Sequence, residues 1–222
     1  TGEISSPLST VSRPNVFGFN TTGSLLAAGN QEGLVSIWNL NNNKILNPAS
    51  HRGGVLALAT GPGNKLITSG NDKKVSLVNM LTGMQIFSIL TQSPVRDLAF
   101  SPDGEWFVTA ADDHRIRIWD AEDGSERLGM TQDGAVSKVV VSPDGQWIAT
   151  TGDDRTTRVW DAVTGAQVYQ IPLTASGAEI AFSKDGSYLV STDEQGKVNI
   201  WDISTLGARK DSIQFSGLLN NI

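Results

Sequence analysis

Two histidines, and the aspartates beside one of them, are the residues of this sequence best suited to acid–base or metal chemistry. His51 precedes an arginine, and His114 directly follows Asp112 and Asp113. A general base needs an orienting acid and a substrate proton within reach, and consecutive residues of a tight turn do not converge on one metal ion. We therefore expect a structural role for His51, an exposed turn position for His114, and no metal site.

Several common catalytic and metal-binding motifs are absent from the sequence. There is no cysteine, which excludes disulfides, thiolate metal ligands and cysteine nucleophiles. The sequence also lacks a phosphate-binding loop of the Walker type, a Gly-x-Ser-x-Gly nucleophile elbow and a His-Glu-x-x-His zinc motif. We predict a protein that is not an enzyme, with no catalytic residue and no cofactor.

Length and charge restrict the partners. The chain of 222 residues can bury a core of its own, and its 17 Lys and Arg against 23 Asp and Glu leave a net charge of −6. Such a charge repels phosphate backbones and anionic lipid surfaces. No apolar run approaches the ~20 residues of a membrane-spanning helix. We expect protein partners, no nucleic acid and no membrane span; the compartment stays open, with the cytoplasm slightly favoured.

A repeat runs through the whole chain. Five tripeptides recur at spacings of 40, 41, 41 and 41 residues: Ile37-Trp38-Asn39, Leu77-Val78-Asn79, Ile118-Trp119-Asp120, Val159-Trp160-Asp161 and Ile200-Trp201-Asp202. A second marker keeps the same phase, a turn glycine at Gly23, Gly63, Gly104, Gly145 and Gly186. A shared period of this length is typical of solenoids and propellers.

Each unit has the pattern of short strands. In one unit, the segments 136–141, 147–151, 157–160 and 166–171 are rich in β-branched and aromatic residues and are bounded by Pro, Asp or Gly. Aspartate and glycine provide the turn chemistry for tight connections between strands. The pattern predicts an all-β fold with four strands per unit and almost no helix.

These units resemble WD40 repeats. The order of the motifs carries the resemblance: Ser101-Pro102-Asp103-Gly104, then Asp112-Asp113, then Trp119-Asp120, with Thr82-Gly83 and Thr164-Gly165 after strand ends. The resemblance implies a β-propeller of five four-stranded antiparallel blades. Residues 1–8 are then the outer strand of a preceding blade, followed by repeats at approximately 9–49, 50–90, 91–131, 132–172 and 173–222. We expect these blades to be part of a larger ring, commonly seven-bladed in the family; a closed five-bladed ring is the alternative.

The family also implies a polar tetrad inside each blade, in which a turn acid, a His, a hydroxyl and a Trp form a hydrogen-bonded chain. The resemblance assigns structural roles to the following residues: Trp38, Trp119, Trp160, Trp201, Asp72, Asp113, Asp154, His51, Thr68, Thr109, Thr150 and Ser191. Glu32 and Gln195 fall on the acid position of the first and last units, and Ala28 lacks the hydroxyl. Because only His51 fills the His position and its own unit has Val78 for Trp, no complete tetrad is expected. Asp113 and Asp154 are expected to bind turn N–H groups instead.

If the fold is a propeller, its function is recognition, since rigid sheets present variable loops to partners. The loops of one face would carry six basic residues, Arg52, Lys73, Arg96, Arg115, Lys138 and Arg155, which are the candidate partner-binding residues and suit an acidic peptide or surface. The predicted function is therefore a non-catalytic scaffold or sensor module, of the kind used in signalling. The alternatives are a structural subunit of a permanent complex and, third, an enzyme or small-ligand protein that uses the central channel.

Overall fold

The structure, a computed structural model, describes residues 13–203 and the backbone of residues 208–214. Apart from a single 3-10 turn at Pro62–Asn64, the regular structure in these ranges is all β-strand. No helix in them is long and apolar enough to cross a bilayer. The all-β prediction is confirmed, whereas the strand expected at residues 1–8 lies outside the described residues.

Twenty strands form five antiparallel sheets, each built from four consecutive strands. The first sheet contains β1 Pro14–Phe19, β2 Leu25–Asn30, β3 Leu34–Asn39 and β4 Lys44–Ser50. The second contains β5 Val55–Gly61, β6 Lys65–Gly70, β7 Lys74–Asn79 and β8 Gln85–Leu90. The third contains β9 Val95–Phe100, β10 Trp106–Ala111, β11 Arg115–Asp120 and β12 Glu126–Thr131. The fourth contains β13 Val136–Val141, β14 Trp147–Gly152, β15 Thr156–Asp161 and β16 Gln167–Pro172. The fifth contains β17 Gly177–Phe182, β18 Tyr188–Asp193, β19 Lys197–Asp202 and β20 Ala208–Gln214.

The Ser-Pro-Asp-Gly turn closes the connection between the first two strands of the third sheet. The Ser101 hydroxyl donates to Asp103 Oδ1 over 2.5 Å and accepts the Trp106 N–H at 3.1 Å. Gly104 adopts a φ of 72°, which a side chain would strain. The fourth and fifth sheets repeat this arrangement at Ser142 and Ser183. Local hydrogen bonds thus explain why the motif recurs with the period of the sheets.

Apolar side chains fill the spaces between successive sheets. Between the second and third sheets, Leu77 and Ile67 pack against Leu98, Phe107 and Trp119. Similar clusters join the first sheet to the second, the third to the fourth and the fourth to the fifth. Burial between neighbouring sheets leaves the middle strands of the first four sheets almost wholly buried, whereas those of the fifth sheet alternate between buried and partly exposed residues.

The first strands of the sheets lie side by side along the inner wall, in the order β1, β5, β9, β13, β17. A polar side chain joins each neighbouring pair of sheets by bonding to backbone of the next first strand. These bonds join Asn15 to the Val55 carbonyl at 2.7 Å, Ser69 to the Val95 carbonyl at 3.0 Å, Asp97 to the Val139 N–H at 3.0 Å and Ser137 to the Gly177 carbonyl at 3.2 Å. Within the described residues the five sheets form an arc of propeller blades that does not close into a ring.

Because successive strands run in opposite directions, the loops lie on two opposite sides of the arc, which we call the upper end and the lower end. The upper end carries the connections from second to third strands and the loops that enter the first strands, which are joined by backbone bonds such as Asp112 N–H to the Pro94 carbonyl at 3.1 Å. The lower end carries the connections from first to second and from third to fourth strands.

Candidate functional site

His51 lies in the loop that enters the second sheet, and both of its ring nitrogens are engaged. Nδ1 is 2.9 Å from Asp72 Oδ1, and Nε2 is 2.9 Å from the Thr68 hydroxyl. The side chain is fully buried. Burial alone would raise the pKa of Asp72, but the bonds from His51 and from the N–H groups of Arg52 and Lys74 outweigh it and lower the pKa. A histidine held in this way has no free nitrogen for a substrate proton.

His114 occupies an exposed turn with a positive φ of 67°. The two aspartates before it point to different partners: Asp112 binds Arg96 through two bonds of 2.7 and 2.8 Å, and Asp113 binds the buried Arg117 at 2.7 Å. Elsewhere in the described ranges, too, no three His, Asp or Glu side chains are grouped closely enough to hold a metal ion. The Asp112-Asp113-His114 segment is therefore part of two separate ion pairs.

The fourth sheet contains a complete four-member polar chain that the sequence analysis did not predict. Gln132 Nε2 donates to Asp154 Oδ1 at 2.9 Å, Gln132 Oε1 accepts the Thr150 hydroxyl proton at 2.8 Å, and Thr150 accepts from Trp160 Nε1 at 2.9 Å. Gln132 thus replaces the histidine, because an amide offers one donor and one acceptor at opposite sides of its end group. No described blade holds the tetrad with a histidine, as expected, but the prediction overlooked that Gln132 can take the place of the histidine. Gln132 lies 81 residues after His51, which is the repeat spacing that could have revealed it.

The other sheets hold shorter versions of this chain. Trp119 Nε1 donates to Thr109 at 2.9 Å, and Trp201 Nε1 donates to Ser191 at 3.1 Å. In the fifth sheet the buried Asp193, and not the predicted Gln195, accepts the Thr174 hydroxyl proton and the backbone N–H groups of the turn. These contacts are internal to the sheets, so the residues serve the stability of the blades.

The first sheet leaves its tryptophan without a partner. Trp38 is 2% exposed, and its Nε1 is buried without a hydrogen-bond partner among the described residues. The threonine or serine of the other four sheets is replaced here by Ala28, which is also buried. The missing hydroxyl accounts for the unpaired N–H.

We expect Ala28→Ser to raise the free energy of unfolding by about 1 kcal/mol, because the new hydroxyl can accept the Trp38 Nε1 proton. Urea denaturation followed by tryptophan fluorescence measures the change. Ala27→Ser is the matched control: Ala27 is equally buried but packs against the second sheet, so its hydroxyl should destabilise. Equal destabilisation by both variants would contradict the assignment.

The six predicted partner-binding residues all lie at or near the upper end, but two of them are paired with carboxylates and four are not. Arg96 is held by Asp112, and Lys138 pairs with Glu179 at 2.9 Å. The other four are exposed, and none forms an ion pair with a described residue: Arg52, Lys73, Arg115 and Arg155. Lys73 and Arg155 occupy left-handed turn positions, with φ of 62° and 58°. Four cationic side chains are thus available to a partner.

Carboxylates also face this end. Asp153 and Asp133 are exposed there, and a cavity of about 390 Å³ is lined by Arg96, Asp112, Asp153 and Ser137 together with apolar residues. In this cavity the arginine is already neutralised by Asp112. The upper end therefore has mixed charge, and its free cations are in the turns and loops around the cavity.

Asp97 is the titratable group of the inner wall that the fold perturbs most clearly. It is half-buried on β9, accepts the Val139 N–H, and faces Lys138 and Glu179 on the next two first strands. Burial raises its pKa from 3.8 to about 6, against the lowering effects of the Val139 N–H and Lys138.

We expect Asp97→Asn to stabilise the protein at pH 7 and to have little effect at pH 4. The folded state binds the Asp97 proton more tightly than the unfolded state, so the stability contributed by this group is present below pH 4 and lost as the pH rises through about 6. A shift of this size corresponds to at most about 3 kcal/mol. Denaturation of both proteins across this range measures the difference, and a difference that is independent of pH would contradict the prediction.

Comparison with known proteins agrees with this fold. The family model described as "WD domain, G-beta repeat" matches residues 84–120, 127–161 and 178–202. Eukaryotic translation initiation factor 3 subunit I of Scheffersomyces stipitis is 34% identical over 88 residues, which are 39% of this chain. The matched segment covers only 25% of that relative. With the tryptophan-to-hydroxyl bonds and the four-stranded blades described above, these matches show that the chain contains WD40 repeats within residues 84–202.

Proposed function

We propose that this chain is a non-catalytic protein-binding module, and that its upper end binds a partner segment that carries acidic residues. The observation that carries the proposal is how the polar side chains are used. Internal hydrogen bonds and ion pairs engage His51, Asp72, Asp113 and Asp154. Four cationic side chains at the upper end form no ion pair with a described residue.

The backbone supports recognition by this surface. Arg155 and Lys73 are held in tight turns whose N–H groups bond to the carbonyls that end the second strands. A receptor whose loops are ordered before binding loses little conformational entropy when a partner docks. The cations are also spread over three neighbouring blades, so an extended acidic segment could contact several of them at once. This spacing favours a peptide or protein surface over a small ion.

The test compares two double variants with the same change in charge. Arg115→Glu/Arg155→Glu alters the upper end, and Lys44→Glu/Lys184→Glu alters exposed residues at the lower end. We expect the first variant to weaken binding of a glutamate-rich peptide about tenfold or more, equivalent to ~1.4 kcal/mol or more, and the second to change it little. Fluorescence anisotropy at low and high salt gives the affinities.

Arg96 is left unchanged in this design, because Arg96→Glu would also leave Asp112 unpaired. Equal weakening by both variants would mean that only net charge acts, and no weakening by either would remove the upper end as a binding site.

A second candidate is a structural subunit of a permanent complex. The name of the Scheffersomyces stipitis relative describes it as a subunit of a larger factor. If this function applies, the chain purified with its natural partners should elute as one stable assembly that salt does not dissociate. Dissociation at moderate salt would favour the transient module. A small ligand in the central channel is the weakest alternative, because the upper cavity offers an arginine already bound by Asp112.

A further inference from the structure

The outer strand of the second sheet, β8, differs from the other outer strands. Among the described residues only β7 pairs with β8, so one edge of its backbone is unpaired. Exposed edges are usually protected by charge or proline against further strand pairing. β4 contains Lys44 and Pro48, β12 contains Glu126 and Arg127, β16 ends at Pro172, and β20 contains Arg209, Lys210 and Asp211. β8, with the sequence Gln-Ile-Phe-Ser-Ile-Leu, contains no charge, proline or glycine.

Two apolar side chains of this edge strand are exposed to solvent. Ile86 is 47% exposed and Leu90 is 74% exposed. The third sheet has Arg127 and Thr131 at the same repeat positions. Leu46, Val168 and Ile213 are apolar at one of these two positions in their units, whereas β8 is apolar at both.

A groove opens beside β8 at the lower end, between the second and third sheets. Its volume is about 520 Å³, against about 240 Å³ between the third and fourth sheets and about 20 Å³ between the first and second. At the start of the second strand the third sheet has Trp106, which lines its groove, whereas the second sheet has Lys65. The Lys65 ammonium group reaches the Gly104 carbonyl at 2.8 Å. The widest of these three grooves is thus the one that a lysine lines at this repeat position.

The groove combines an apolar side chain with unpaired acids. Ile86 lines it together with Glu105, Glu122 and the ion pair of Arg127 with Asp120, whose atoms are 2.6 Å apart. Both cations of the groove, Lys65 and Arg127, are already bonded. The Glu105 and Glu122 carboxylates have no partner among the described residues and are exposed. Lys65 keeps its positive charge because a carbonyl is neutral, so the groove has two cations against the three carboxylates of Glu105, Asp120 and Glu122, a net charge of −1.

We propose that β8 binds an extended segment of a partner protein as an additional strand, with a lysine or arginine of that segment beside Glu105 and Glu122. Backbone groups on the free edge of β8 supply the strand pairing, and Ile86 and Leu90 contact apolar side chains of the segment. The unpaired carboxylates select a basic residue at the lower end by charge complementarity.

This surface extends the proposed function to a second site that lies on the outer rim, at a distance from the cations of the upper end. It takes a partner of the opposite charge, so the two sites can be tested separately.

The probe is a synthetic peptide of alternating threonine and valine with a lysine at each end, and the same peptide with glutamate at each end is its control. We expect the lysine peptide to bind the intact protein and to protect backbone amides of residues 85–90 from hydrogen exchange. Ile86→Arg/Leu90→Thr gives β8 the residues of the third sheet, and we expect it to weaken binding about tenfold, or ~1.4 kcal/mol. Val163→Arg, which changes an 86% exposed apolar residue of the fourth sheet, should leave binding unchanged.

The upper-end variant Arg115→Glu/Arg155→Glu should bind the lysine peptide as well as the parent protein does, so failure of one site is distinguishable from failure of the other. Equal affinity of the Ile86→Arg/Leu90→Thr variant, equal binding of the glutamate peptide, or protection only outside residues 85–90 would overturn the proposal. Self-association of the free protein that the β8 variant abolishes would also overturn it, since the occupant would then be a second copy of this chain.

Discussion

Asp154→Ala should lower the free energy of unfolding by about 3–5 kcal/mol, the range typical of breaking a buried ion pair. Asp154 Oδ2 is 3.0 Å from Arg158 Nη2, and the two side chains are 6% and 7% exposed. Its other oxygen accepts from Gln132 Nε2 at 2.9 Å and from the Thr156 hydroxyl at 2.8 Å. Removal of the carboxylate leaves the buried guanidinium with only its bonds to the exposed Asp133 and to Gln167, and leaves the Gln132 amide without its closest acceptor.

The double variant Asp154→Ala/Arg158→Leu distinguishes the ion pair from simple loss of packing. Because the buried cation is removed together with its partner, we expect the double variant to be more stable than Asp154→Ala. Urea denaturation of the single and double variants measures both values. A double variant that is less stable than the single one would show that Arg158 contributes mainly through its bonds to Asp133 and Gln167.

Phe107→Ala should cost a similar amount, about 3–5 kcal/mol, through a cavity between the second and third sheets. Phe107 is fully buried, and its ring centroid lies 6.1 Å from Phe100, 6.3 Å from Phe87 and 6.5 Å from Trp119. The ring therefore joins two blades, and its loss removes contacts on both sides of the interface.

Phe17→Ala is the matched control, since Phe17 is 71% exposed on β1 and its removal should change stability by less than about 0.5 kcal/mol. Thermal and urea unfolding of both variants give the comparison. A loss of less than about 1 kcal/mol for Phe107→Ala would mean that the two sheets close the cavity by moving together.

Much of the local structure follows from the sequence alone. The Ser-Pro-Asp-Gly turn forms bonds within five residues, from Ser101 to Asp103 and Trp106, so its motif predicts its geometry wherever it recurs. The same holds for the segments 136–141 and 147–151, which were predicted as strands and are strands in the structure. These elements depend on nearest neighbours and on the alternation of apolar residues, both of which are visible in one sequence.

The polar chains were harder to predict, because their members are far apart in the chain. Gln132 and Asp154 are 22 residues apart, and only the register of the strands between them brings the amide to the carboxylate. A search for histidine overlooks a glutamine that makes the same two bonds. For the same reason the sequence did not show which upper-end cations are paired and which are free. Arg96 meets Asp112 only because β9 pairs with β10.

The sequence by itself determined the repeat, the four strands of each unit, the turns and the absence of cysteine chemistry, because each of these depends on residue type and short-range spacing. Only the tertiary structure decided which charges remain free for a partner, which groove is open and which strand edge is unprotected. These features arise where neighbouring sheets meet, and residues that line the grooves, such as Lys65 where the third sheet has Trp106, differ between units without altering the period of the repeat.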